Sequence, residues 1–102
     1  SSAPSGALTR RTFRAPFTNG TELIGANLSE ANLNGADLIK ADLSKARLIG
    51  AKLTGANLSF AKLGEANLTG ADLTGANLSE AFLLDANLEA AILTDVIRPG
   101  GF

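Results

Sequence analysis

Between Leu23 and Leu93 leucine occupies every fifth position, 15 in succession, and alanine stands two residues before 14 of them, Thr21 being the exception. Polar residues fill the slots between, mostly Asn or Asp before the leucine, then Ser or Thr, then Gly or a charged residue. No single helix or strand accommodates that period. A helix advances about 100° per residue, so leucines five apart would scatter around it instead of forming a stripe. In one straight strand the odd spacing would send alternate leucines to opposite faces. Alanine and leucine, however, are two apart and share one face of a short extended segment. Each pentad is then an edge with two inward side chains followed by a corner. Edges and corners in succession make a coiled solenoid. The period alone leaves the number of edges per coil open.

The runs Ala26-Asn27-Leu28-Ser29-Glu30, Ala36-Asp37-Leu38-Ile39-Lys40 and Ala71-Asp72-Leu73-Thr74-Gly75 resemble the Ala-Asn/Asp-Leu-x-x signature of the pentapeptide-repeat family, and the resemblance spans residues 21–95. It implies an all-β fold, a right-handed quadrilateral β-helix (solenoid) with four pentads per coil. The 15 pentads then make just under four coils, a tower about 20 Å tall at about 4.8 Å per stacked strand.

Three segments follow from where the pattern begins and ends. Residues 1–20 are expected to be a flexible tail and cap: 1–7 are Ser, Ala, Pro and Gly, while 8–20 hold three arginines and the apolar plugs Phe13 and Phe17. Thr9-Arg10-Arg11-Thr12-Phe13 resembles a twin-arginine export motif, but Arg14-Ala15-Pro16-Phe17-Thr18-Asn19-Gly20 follows instead of an apolar stretch, which favours the cap. Residues 21–95 form the β-helix. In 96–102, Val96 takes an alanine slot but Arg98 falls in a leucine slot, where a charge cannot be buried, so the coil ends there. Val96, Ile97 and Phe102 are left to fold back as a cap or to pair two copies end to end; the family resemblance supports both.

Corners carry their own signal. A type II turn needs positive φ at its third position, the place of Gly25, Gly35, Gly50, Gly55, Gly70 and Gly75. Type II corners are expected there, and type I-like corners at Glu30, Lys40, Lys45, Phe60, Glu65, Glu80 and Asp85.

Composition then removes whole classes of chemistry. The chain has no Cys, His, Met, Trp or Tyr. Disulfides, zinc sites of the usual His/Cys kind and histidine-based acid–base catalysis are excluded. No Asp-rich loop has calcium-ligand spacing, and leucine fills the interior, so neither an enzyme nor a cofactor or metal site is expected. Polar residues interrupt every pentad, which rules out a membrane-spanning apolar run. The resemblance allows cytoplasm, periplasm or thylakoid lumen, with the cytoplasm favoured.

Twenty residues per coil would stack Asp42 beneath Lys62, Lys52 beneath Asp72, and Lys45, Glu65 and Asp85 in one column. Such exposed pairs are worth about 0–1 kcal/mol each. Net charge runs +3 over 1–20, −3 over 21–39, +4 over 40–62 and −6 over 63–97. Some family members protect DNA gyrase by imitating DNA, which makes a topoisomerase regulator the alternative function. A DNA mimic, however, needs sustained negative potential, and the basic middle interrupts it. Direct nucleic-acid binding has only Arg10, Arg11 and Arg14 as a cluster, without stacking aromatics nearby. The expectation is therefore a non-enzymatic scaffold for a protein partner. Its candidate contact residues are Ile39, Phe60, Phe82 and Leu84, apolar where the repeat prefers polar side chains, whereas Ile24, Ile49 and Ile92 look isolated.

Overall fold

A computed structural model describes residues 20–100. Every pentad contributes one β-bridge residue, the one before the leucine, and it pairs in parallel with the residue twenty positions on: Glu22 with Asp42, Asn27 with Arg47, Asn32 with Lys52, Asp37 with Asn57. Four pentads therefore bring the chain back to the same wall one rung higher. The rungs are 21–40, 41–60, 61–80 and 81–100. The first wall is built from 21–25, 41–45, 61–65 and 81–85, and the other three follow in order.

The backbone bonds explain why a chain with such short edges holds together. The leucine N–H donates up to the carbonyl of the residue before the leucine twenty positions on, as from Leu53 to Asp72 at 2.7 Å. The corner N–H also donates up, as from Gly55 to Thr74 at 2.9 Å. The residue before the leucine donates down, as from Asp72 to Ala51 at 2.9 Å. Within each corner the alanine N–H bonds the preceding leucine carbonyl, as from Ala56 to Leu53 at 3.0 Å. An extended edge that would be marginal alone is thus paired above and below.

Inside, leucine and alanine behave as their spacing predicts. From Leu23 to Leu78 every leucine and alanine of the repeat is buried, and no polar residue among those described is buried with them. Leu83, Leu88, Leu93 and Val96 are only partly buried against this core, because the last rung has nothing described above it.

The type I-like corners are a correction. Glu30, Lys40, Lys45, Phe60, Glu65, Glu80 and Asp85 all have positive φ, between 57° and 62°, as do Ala90 and Asp95. The corner glycines of the pentads stand at 67–70°. One corner geometry therefore serves every pentad. The ladder requires it, since the corner N–H must reach the rung above at the same angle each time. It overrides the roughly 1–2 kcal/mol preference of a side-chain-bearing residue against the left-handed region. Gly55 and Gly64 separate conformation from space. A methyl on Gly55 meets nothing within 4 Å, but φ is 68° there; a methyl on Gly64 meets only the Leu84 carbonyl at 3.7 Å, and its φ is not positive. Gly55→Ala is expected to destabilise by about 1 kcal/mol and Gly64→Ala by almost nothing, as read from urea unfolding midpoints.

Candidate interaction surface

Outward positions are ordered by side-chain bonds to the backbone. Where Asn or Asp precedes the leucine, its Oδ1 accepts the N–H two residues on: Asn57 from Ser59 at 3.1 Å, Asn77 from Ser79 at 2.9 Å, Asn87 from Glu89 at 2.9 Å. These are Asx turns that set up the corner. Ser44, Ser59, Thr69 and Thr74 also donate their hydroxyls to that same oxygen, as Ser59 does at 2.7 Å and Thr74 at 2.6 Å. Lys52 stands in one of these slots and has no such oxygen; there the Thr54 N–H donates instead to Asn34 Oδ1 of the rung below, at 2.9 Å. Sequence reasoning missed that substitution, although Asn34 is an amide where the repeat prefers Ser or Thr.

The charge columns stand as the twenty-residue register places them, Asp42 paired with Lys62 and Lys52 with Asp72. The surroundings of Asp72 lower its pKa. The Thr74 hydroxyl and then the Thr74 N–H hold its carboxyl below the usual 3.8; desolvation opposes them in part, and Lys52 adds the smallest contribution. A depressed carboxylate pKa contributes stability that is present above the unfolded value and is lost as pH falls through the folded one. Asp72→Asn keeps the acceptor but removes the charge. It is expected to flatten the loss of stability as pH falls below the ordinary carboxylate range, measured by urea unfolding of both proteins as the pH is lowered.

Of the candidate contact residues, Phe60, Phe82 and Leu84 are exposed, at 49%, 59% and 78%, while Ile39 is half-buried. Phe60 forms the corner that leads into the edge 61–65. Phe82 and Leu84 stand on the rung above that edge, Phe82 paired with Lys62 and the Leu84 carbonyl accepting the Glu65 N–H at 2.9 Å. Phe60, Phe82 and Leu84 thus lie diagonally around one corner of the tower. Phe13, Phe17 and Phe102 lie outside the described residues. Val96 packs on the core, and Ile97 pairs with Asn77 and is exposed.

The rung register also shows a feature that linear reading scattered. In the slot before the leucine, all twelve residues from Glu22 to Asn77 are polar or charged. In the last rung that slot holds Phe82, Asn87, Ile92 and Ile97. Ile92, isolated along the chain, belongs to an apolar rim with Phe82 and Ile97. Reading the slot rung by rung would have found it.

Among the described residues no group of three or more His, Cys, Asp or Glu converges to hold a metal ion. No described helix is long and apolar enough to cross a membrane.

The family model for pentapeptide repeats matches residues 19–55 and 56–95. Among solved structures, the chain is similar to HetL from the cyanobacterium Nostoc sp. strain PCC 7120, a pentapeptide repeat protein involved in regulating heterocyst differentiation. The two are 34% identical, with 93% of this chain and 48% of HetL covered and a TM-score of 0.62. It is also similar to Rfr23 from the cyanobacterium Cyanothece 51142, at 33% identity, 88% and 62% coverage and a TM-score of 0.52. A pentapeptide repeat protein of the Arabidopsis thaliana thylakoid lumen shares 32% identity over 87% of this chain and 66% of that one, with a TM-score of 0.44. The chain spans about half the length of HetL. Curated proteins yielded no match. A leucine every fifth residue, a twenty-residue rung and a match over most of its length place this chain in the pentapeptide repeat family.

Proposed function

We propose that the chain is a non-enzymatic scaffold, a tower of just under four coils that docks a protein partner on its side. The contact is the corner patch of Phe60, Phe82 and Leu84, with Ile39 at its foot. The observation that carries this reading is the exposure of three large apolar side chains in slots where the lattice makes no demand. Leucine and alanine already fill the interior, so these side chains contribute nothing to the core. Large apolar groups gathered on an otherwise polar wall mark contact surfaces. Membership of a family of interaction modules supports the same reading. The regulation ascribed to HetL is a precedent for a repeat tower acting through a partner, not an assignment of that partner.

The alternative, a DNA-mimicking regulator of a topoisomerase, needs a long run of negative potential. Lys45, Arg47 and Lys52 stand on three walls of the rung 41–60, and Lys40 and Arg98 on the fourth, so no wall is acidic from end to end. A supercoiling assay with and without the protein tests it, and no change in topoisomerase activity is expected.

The contact is tested by affinity capture from an extract of the source cells, with wild type and a Phe60→Ser, Phe82→Ser double variant as baits. Retention of a specific partner by wild type and its loss by the variant, at unchanged Tm, is the expected outcome. Equal capture by both baits rejects the patch.

A further inference from the structure

Of the eight asparagines in the chain, six stand before a leucine. Asn34 instead precedes Gly35, and that pairing is chemically reactive. The side-chain carbonyl carbon of an asparagine is open to attack by the backbone nitrogen of the next residue. A following leucine shields that nitrogen with its side chain, whereas glycine has no Cβ to stand in the way. Asn19-Gly20 repeats the pair, with Asn19 outside the described residues. Asn34 is exposed on the third wall, away from the corner patch, so water reaches it.

The fold commits both reacting groups to one residue of the next rung. Asn34 Oδ1 accepts the Thr54 N–H at 2.9 Å, and the Gly35 N–H donates to the Thr54 carbonyl at 2.9 Å. The Asn34 N–H in turn donates to Asn32 Oδ1 at 3.1 Å. While these bonds stand, the Asn34 amide is tied to the rung above and the Gly35 nitrogen is fixed in the ladder. Position 52 sets this up. In the pentads of Asn57, Asp72 and Asn77 the N–H two residues on is taken by that residue's own Oδ1, at 2.9–3.1 Å. Lys52 offers no such oxygen, so the Thr54 N–H is left for Asn34.

We propose that Asn34-Gly35 is a self-modification site whose co-reactant is water, and that the Thr54 bond, available because residue 52 is lysine, holds it shut in the folded chain. When the bond opens, the Gly35 nitrogen forms a bond to Asn34 Cγ and the Cγ–Nδ2 bond breaks. The proton of that nitrogen leaves with the amine as ammonia, and a succinimide ring remains. Water then adds to one of the two ring carbonyls and breaks its bond to nitrogen, restoring the N–H. Opening at Cγ gives aspartate at position 34, which keeps an oxygen for the Thr54 N–H and gains a negative charge. Opening at the backbone carbonyl gives isoaspartate, which routes the main chain through Cβ and disturbs the ladder at the Gly35 corner. Conversion therefore records how often the second rung lifts away from the first. The site is separate from the corner patch, and either reading stands if the other fails.

Trypsin releases both Asn-Gly pairs on one peptide, 15–40, so tandem mass spectrometry of a digest reads each as the mass gain of amide to acid. The full chain is aged in neutral buffer and in unfolding urea at one temperature. Asn34 is expected to convert at least about tenfold more slowly in buffer than in urea, because reaction follows the opened fraction. Lys52→Asn supplies the missing oxygen, so the Thr54 N–H is captured within its own pentad and Asn34 is released. Conversion in buffer should then rise about fivefold, the worth of one net hydrogen bond. Lys52→Ala removes the same lysine without supplying an oxygen, and should leave conversion as slow as in wild type. Failure of Asn34 to convert in urea, where Asn19 does, overturns the site, and equal rates in buffer and urea overturn its closure by the fold. No rise in Lys52→Asn, or an equal rise in Lys52→Ala, overturns the Thr54 lock.

Discussion

Replacing Leu53 with alanine is expected to destabilise the protein by about 3 kcal/mol, within the range of about 2–5 kcal/mol for emptying a buried leucine site. Leu53 is fully buried and sits in a column with Leu33 below and Leu73 above. The cost belongs to the upper part of that range only if the site cannot collapse, and here the walls prevent it. The backbone on either side is tied to the rungs above and below by bonds of 2.7–2.9 Å, through Leu53, Gly55 and Lys52. Moving the wall inward to fill the void would stretch several of these at once. Leu88→Ala provides the contrast. That leucine is only partly buried and its N–H finds no partner among the described residues, so a loss of about 1 kcal/mol is expected. Urea unfolding should show a lower midpoint with unchanged slope for both variants.

Removing a single residue should do more damage than removing five. Deleting Ser59 moves every later residue back by one slot. Lys62, Asn67 and Asp72 then fall where alanine belongs, and Gly64, Thr69 and Thr74 where leucine belongs. Polar groups without partners would face the core at several consecutive edges, at about 1–3 kcal/mol each, which exceeds the stability of a small domain. Circular dichroism and thermal melting should show loss of cooperative folding beyond Phe60. Deleting residues 56–60 keeps every later residue in its slot and turns the upper rungs by one wall. Lys62 then stands over Asp37 in place of Asn57, and the leucine column closes with Leu63 in place of Leu58. The cost is chiefly the burial of one leucine, about 2 kcal/mol, and a cooperative melt should survive.

What the sequence disclosed follows the same logic. The inward slots were legible because burial tolerates only apolar side chains there, so Ala and Leu repeat without noise from Ala26 to Leu93. The twenty-residue register came with the family resemblance and made the column of Lys52 and Asp72 readable in advance. Corners were legible only where Gly occupied them. Glu30, Phe60 and Asp85 argue by propensity against a left-handed conformation, and the ladder imposes it regardless. Two features of the surface escaped because they appear only when residues are placed on the rungs. The Asn34 bond to Thr54 links residues twenty apart, and the rim of Phe82, Ile92 and Ile97 emerges when one slot is followed around one rung. The exposed apolar residues Phe60, Phe82 and Leu84 were visible as departures from the repeat.

The central claim is that the repeated slots hold the tower up and the outward exceptions do its work. The most direct measurement sets Tm against partner retention for Phe60→Ser with Phe82→Ser, beside Leu53→Ala. The double variant should melt within about 4 °C of wild type, as surface changes within about 0.5 kcal/mol do, and lose the partner. Leu53→Ala should melt far lower yet, while folded, still bind. A double variant that melts as low as Leu53→Ala, or one that keeps the partner at full strength, would contradict the account.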